Sequence, residues 1–199
     1  MDSTQRLIEL FKEFPGIGPR QAKRFVYFLL NRNPAYANDL SKLITEVRAT
    51  SHSCDSCFRF VVNGNSKSCS ICRDGSRDKN LLMLVSHDVD FENIEKSHSY
   101  NGYYFVLGGS IPILEKNPEK RIRQKELLDI IDKRKTSGLS EIIIALNYNP
   151  EGENTLTYLK EILSSFGIRI STLGRGLSTG TELEYSDSDT IKNALKNRQ

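Results

Sequence analysis

The four cysteines of this 199-residue chain fall in two pairs, Cys54-x2-Cys57 and Cys69-x2-Cys72, with 11 residues between them. Two intervening residues let one tight knuckle turn both thiolates toward a single ion. Two knuckles complete a tetrahedron of sulfur, which zinc accepts without strain. Four thiolates leave no coordination position for water, so the expected ion is structural, one Zn²⁺ per chain. The alternatives are disulfides and redox Cys-x-x-Cys pairs. Disulfides need an oxidising compartment, and residues 1–6 lack the basic-then-apolar pattern of an export signal. A redox pair would not come duplicated. His52 stands near the first knuckle, but four sulfurs already fill the site. It, His87 and His98 read as loop histidines.

A second chemistry is carried by Pro15-Gly16-Ile17-Gly18-Pro19-Arg20-Gln21-Ala22-Lys23-Arg24. Gly16 and Gly18 remove side chains from a turn that opens a helix, so backbone N–H groups there can meet a phosphate. Arg20, Lys23 and Arg24 occupy the first turns of that helix, and spacings of three and four bring them toward one face. Such a device reads backbone charge rather than base edges, so binding should be independent of sequence and steep in salt. The plain alternative is an αα-hairpin with a solvated basic face. Gly16, Gly18, Arg20, Lys23 and Arg24 are the candidate DNA contacts.

These residues need elements to hold them. In the N-terminal part the apolar spacing is helical. Leu7, Leu10, Phe11 and Phe14 share a face, Ala22 to Leu30 form a helix opened by Pro19, and Leu40, Leu43, Ile44 and Val47 follow the i, i+3, i+4, i+7 rule. Residues 51–79 are poor in apolar runs and hold all the cysteines, so they need a staple to fold. From Leu81 the pattern turns to strands at 81–86, 103–107, 141–146 and 168–173, with helices at 91–98, about 121–134 and 155–166. That alternation predicts a parallel sheet covered by helices. A last helix near 189–196 is expected to bury Ile191, Ala194 and Leu195. The fold class is therefore α/β in a multi-part chain: a helical DNA-binding region at 1–52, a four-cysteine finger at 53–77, an α/β domain at 78–174, and a C-terminal loop and helix at 175–199.

Composition agrees with a folded chain: 38% hydrophobic and 27% charged residues, with a net charge of +3. No apolar run is long enough to span a bilayer, so no membrane partner is expected. The charge is uneven. Residues 1–80 hold 13 Lys+Arg against 8 Asp+Glu, and residues 81–199 hold 15 against 17. A basic head on a mildly acidic body suits a polyanion-binding module.

The order of parts resembles the RecR family of bacterial recombination mediators: a helix-hairpin-helix, a C4 zinc finger, then a Toprim domain. The resemblance runs over nearly the whole chain. It rests on Pro15-Gly16-Ile17-Gly18-Pro19, the four cysteines, Val106-Leu107-Gly108-Gly109, Glu151-Gly152-Glu153, Gly174-Arg175-Gly176-Leu177 and Leu183-Glu184-Tyr185. It implies a non-catalytic, cytoplasmic DNA-binding protein, nucleoid-associated during repair, that forms homotetrameric rings. It further implies action with RecO and RecF to load RecA on gapped single-stranded DNA, the α/β domain receiving RecO. Catalytic Toprim domains hold Mg²⁺ with a glutamate after the first strand and Asp-x-Asp after the third. Here those places read Ser86-His87-Asp88 and Asn147-Tyr148-Asn149, with Glu151 and Glu153 nearby as a weak substitute. Ser86-His87 also departs from the glutamate pair usual in the family. A Mg²⁺-dependent nuclease or primase is thus the alternative that lacks its acids. The stretch from Gly174 to Gly180 lacks the ending of a nucleotide loop and reads as structural.

Overall fold

The computed structural model describes residues 1–62, 66–174, 176–177, 180 and 182–196, in two compact units, Met1–Ser51 and His52–Gln199. The first unit holds three helices, α1 (Ser3–Lys12), α2 (Pro19–Leu30) and α3 (Pro34–Thr50). Each start has a local cause. Asp2 Oδ1 accepts from the Gln5 amide at 2.7 Å, and Asn33 Oδ1 accepts from Ala35 at 2.9 Å. Prolines 19 and 34 fill first-turn positions whose N–H would have no partner. Helices α1 and α2 pack through Ile8, Ala22 and Val26, with Leu7, Phe11 and Ile17 against them. Leu10 and Phe14, expected on the buried face, are instead 52% and 55% exposed. A two-helix hairpin covers only a narrow line of α1, and Ile8 occupies it. In α3 no residue is buried.

The second unit opens with a two-stranded sheet, β1 (Ser51–Ser53) and β2 (Phe60–Val62), and a one-turn helix, α4 (Ser70–Arg73). There follow β3 (Asp78–Val85), α5 (Asp88–Lys96), β4 (Gly102–Val106), α6 (Gln124–Lys135), β5 (Glu141–Ala145), α7 (Pro150–Leu163), β6 (Arg169–Thr172) and α8 (Ser188–Lys196). The four long-range strands make one parallel sheet in the order β4-β3-β5-β6. Its residues alternate between two cores. Leu82, Leu84, Phe105, Ile142 and Ile144 meet Leu127 and Ile131 of α6 and Leu159 and Leu163 of α7. On the other face Met83, Val85, Tyr104 and Val106 meet Phe91 of α5. The chain runs outward from β3 in one direction to β4 and in the other to β5, so a crevice opens at their carboxyl ends.

Some details differ from the sequence expectation. Helix α7 starts at Pro150 rather than Thr155, because Asn149 Oδ1 accepts from the Gly152 amide at 2.8 Å and caps it early. Helix α6 starts at Gln124, after a 3-10 turn at Pro118–Lys120. In α8, Ile191 and Ala194 are half-buried, but Leu195 is 58% exposed, since the helix lays only a thin edge on its neighbours. In the 174–180 loop, Arg175, Ser178 and Thr179 lie outside the described residues.

Candidate nucleic-acid interface and metal centre

The four cysteines converge. Their sulfurs all lie within 4.8 Å of one another, and Cys57 Sγ stands 3.6 Å from Cys69 Sγ. A tetrahedron with zinc–sulfur bonds of about 2.3 Å has sulfur–sulfur edges of roughly 3.8 Å, so the set fits that ion. Backbone amides support the sulfurs: Cys69 N–H donates to Cys54 Sγ at 3.3 Å and Cys72 N–H to Cys69 Sγ at 3.4 Å. The shared contact pushes the Cys69 thiol down and its Cys57 partner up, because one sulfur serves as acceptor and the other as donor. Three of the four are buried and Cys72 half-buried. Packing four sulfurs this tightly without a cation is costly, and a divalent ion relieves it.

The knuckle is fastened to the large sheet. Val106 N–H, at the end of β4, donates to Cys57 O at 2.8 Å. Arg123 Nη1 donates to Phe58 O at 3.2 Å and to Val106 O at 2.8 Å. Phe58 takes a left-handed conformation, φ 61°, that few non-glycine residues adopt. Its ring packs 5.4 Å from Phe105. His52, on β1, contacts Ser66 O through Nε2 at 3.0 Å.

At the hairpin, Gly16 has φ 76°, which a residue with a Cβ adopts only with strain. Gly18 is the N-cap of α2, and its φ of −82° is ordinary. A Cβ added at either glycine would meet open space. The amides of Gly16, Gly18 and Arg20 have no backbone partner among the described residues. Arg20, Lys23 and Arg24 are exposed and line one groove of α2 together with Tyr27, Phe28 and Asn31. None of the three cations pairs with a carboxylate among the described residues. Lys23 lies 6.0 Å from the Tyr27 ring centre.

At the carboxyl edge of the sheet, Val85 stands in register with Ala145, so Ser86 and Asn147 follow adjacent strands. Ser86 is buried, its Oγ 3.4 Å from Ser110 Oγ. His87 caps α5, its N–H donating to Asp90 Oδ2 at 3.0 Å. Asn149 is occupied in capping α7. Glu151 is exposed on the first turn of α7, and Glu153 lines a cavity of about 130 Å³ with Tyr148, Leu156 and Leu173.

Comparison with known proteins follows the same division. Family models match at residues 4–48 (RecR, helix-hairpin-helix), 80–174 (Toprim domain) and 176–199 (RecR, C-terminal). The Recombination protein RecR of Bifidobacterium adolescentis is 37% identical over 197 residues, covering 98% of this chain and 94% of its own. That of Chloroflexus aggregans is 38% identical over 194 residues, covering 98% and 92%. That of Lactobacillus johnsonii is 33% identical over 193 residues, covering 97% and 94%. This chain belongs to the RecR family.

Within this RecR-family chain the structure brings Arg20, Lys23 and Arg24 to one groove and Cys54, Cys57, Cys69 and Cys72 to one cluster, while Gly16 and Gly18 stand in the turn before α2 and do not line the groove. The groove belongs to the first unit and the cluster to the second. Sequence reasoning missed Tyr27 and Phe28, which continue the cationic line at spacings of three and four, a signal present in the sequence. It also missed Phe58 and Arg123 as supports of the knuckle. No local pattern marks these, because the contacts join residues 65 positions apart. Among the described residues no helix is long and apolar enough to cross a membrane.

Proposed function

We propose that this chain is a non-catalytic, DNA-binding mediator of recombinational repair, acting in the cytoplasm with RecO and RecF to load RecA on gapped single-stranded DNA. The observation that carries the reading is the α2 groove. Three cations without a carboxylate partner among the described residues line it, on the helix that Gly18 opens. In this reading Gly16 and Gly18 let a phosphate approach the backbone, the helix terminus attracts its charge, and Arg20, Lys23 and Arg24 hold the neighbouring phosphates. Such contacts carry no base information.

The four cysteines hold one structural Zn²⁺, which supplies a cross-link and no chemistry. The ion fixes the knuckle that is bonded to the end of β4. We read the organisation as a DNA-binding region at 1–52, a finger at 53–77, a Toprim-like domain at 78–174 and a C-terminal segment at 175–199, four copies forming a ring. The Toprim-like domain serves as a body that receives RecO. At its switch point stand Ser86, buried against Ser110, and Asn149, committed to a helix cap. Neither offers the carboxylate that Mg²⁺ requires there.

Fluorescence anisotropy of labelled DNA across a salt series tests this. The Arg20→Glu/Lys23→Glu variant should lose most of its affinity for duplex. Its log–log salt slope should be shallower by about 1.8, two phosphates at about 0.9 each. Equal binding and equal slopes in the two proteins would reject the hairpin as the DNA site. Labelled DNA cut or extended with Mg²⁺ would reject the non-catalytic reading.

A further inference from the structure

A second concentration of positive charge lies far from α2 in sequence, wholly within the unit that holds the sheet. Between the finger, the start of β3 and the end of α6 is a cleft of about 350 Å³. Its walls include Ser56, Lys79, Tyr103, Lys133, Arg134 and Ser137. Lys79 and Lys133 are exposed, Arg134 half-buried. None of these cations has a carboxylate within ion-pair distance among the described residues. Arg134 sits over Tyr103, its guanidinium carbon 4.2 Å from the ring centre, and the Tyr103 hydroxyl is anchored by donating to Asp74 O at 2.8 Å. The aromatic floor is thus fixed and the guanidinium is held by stacking rather than spent on an acid.

Two local duties would explain cations here. Cations at the end of α6 offset the negative end of the helix dipole. Cations near Cys72 offset the net negative charge of a zinc–tetrathiolate. Neither duty accounts for the whole set. Lys135 already adds a cation to the last turn of α6, its ammonium donating outside the helix to Phe166 O at 2.6 Å. Lys79 comes from another element, at the start of β3. Three cations and two hydroxyls from three elements facing one cleft match the needs of a phosphate, which takes several donors at once.

We infer that this cleft is a phosphate-binding subsite that takes the backbone of a nucleic-acid strand, independently of the α2 groove. The choice of a strand over a free phosphate rests on the proposed DNA-binding function. Lys79 and Lys133 supply mobile point charges at the rim, and Arg134 supplies a planar donor edge above Tyr103.

The test uses the full-length, zinc-loaded protein and a labelled single-stranded oligothymidylate in a salt series. Wild type is compared with Lys79→Glu/Lys133→Glu and with Arg20→Glu/Lys23→Glu. The cleft variant should bind roughly tenfold or more weakly at 0.1 M salt. Its log–log slope should be shallower by about 1.4, two contacts at about 0.7 each for a single strand. An unchanged slope overturns the inference while leaving the hairpin reading intact. Loss in the cleft variant with wild-type binding by the hairpin variant upholds the cleft and rejects the hairpin. Zinc content and melting temperature are measured on every protein. If the charge-reversed variant loses metal or fold, Lys79→Gln/Lys133→Gln decides, and wild-type binding by a metal-replete Gln variant overturns the inference. A ³¹P NMR titration with inorganic phosphate separates the sources. Phosphate binding lost in the variant with unchanged DNA slopes would reject the strand and leave a small-anion site.

Discussion

Glycines separate folding from binding at single positions. Gly152 sits in the first turn of α7, and a Cβ there would fall far inside contact with Asn147 O. That oxygen is backbone in a loop already fixed by the Asn149 cap, so it has little room to move. Gly152→Ala should therefore destabilise the second unit by roughly 3 kcal/mol, the upper range for overpacking, read as a lower urea midpoint. Gly18 gives the opposite case. Its φ of −82° suits any residue, and an added Cβ meets open space. Gly18→Ala should cost only about 0.5–1 kcal/mol, the preference for glycine over alanine at an N-cap, far less than Gly152→Ala. If a phosphate approaches that backbone, the same methyl group should weaken DNA binding clearly. Normal stability with normal DNA affinity would remove Gly18 from the interface. Gly16→Ala mixes the two effects, because its φ of 76° adds strain of about 1 kcal/mol.

Among the elements, the knuckle and the edge strand β4 form one cooperative piece, joined by the Val106–Cys57 bond and by Arg123 reaching both chains. Removing the metal with a chelator, or Cys57→Ser, should raise amide hydrogen exchange through residues 54–73 and at Val106. The amides of β3 and β5, paired on both sides within the sheet, should stay protected. Uniform loss of protection would show that the finger supports the whole unit. A second link ties α5 to the sheet: the Tyr104 hydroxyl donates to Glu95 Oε2 at 2.8 Å, and Glu95 pairs with Arg77. Burial raises the Tyr104 and Tyr100 phenols above their usual value of 10. Their contribution is complete below pH 10 and declines above it, because the unfolded chain gives up the phenolic proton first. Urea midpoints measured from about pH 9 to 11 should fall, less steeply in Tyr104→Phe. Much of this organisation was legible beforehand. The strand–helix alternation from Leu81 onward and the paired Cys-x2-Cys spacing are local patterns, and local patterns survive in a sequence. The left-handed Phe58, the reach of Arg123 and the early start of α7 at a capped Pro150 were not, since each depends on a distant partner or a cap that apolar periodicity does not register.

At the scale of the whole molecule, the first unit is conspicuously under-packed. Its buried core is Ile8, Ala22 and Val26, while the 17 residues of α3 bury none. Yet α3 carries Leu43, Ile44 and Val47, 56%, 63% and 49% exposed, at spacings that place them on one side of the helix. An exposed apolar stripe of this kind marks a surface that something covers, and helices gain most of their stability from packing such a stripe. In the ring proposed above the same stripe would recur on every copy, so a two-fold contact of α3 with α3 would bury it without any other partner. Leu43→Glu/Ile44→Glu should then lower the molar mass seen by light scattering, from the assembled state toward smaller species. It should also melt the first unit earlier, as helices 1–3 lose the covering chain. DNA affinity would fall as well, because grooves on separate copies bind one molecule with a shared effective concentration. An unchanged mass with unchanged melting would remove α3 from the assembly and leave its stripe for a partner other than a copy of this chain. An unchanged mass with earlier melting would assign the stripe to the folding of the chain itself.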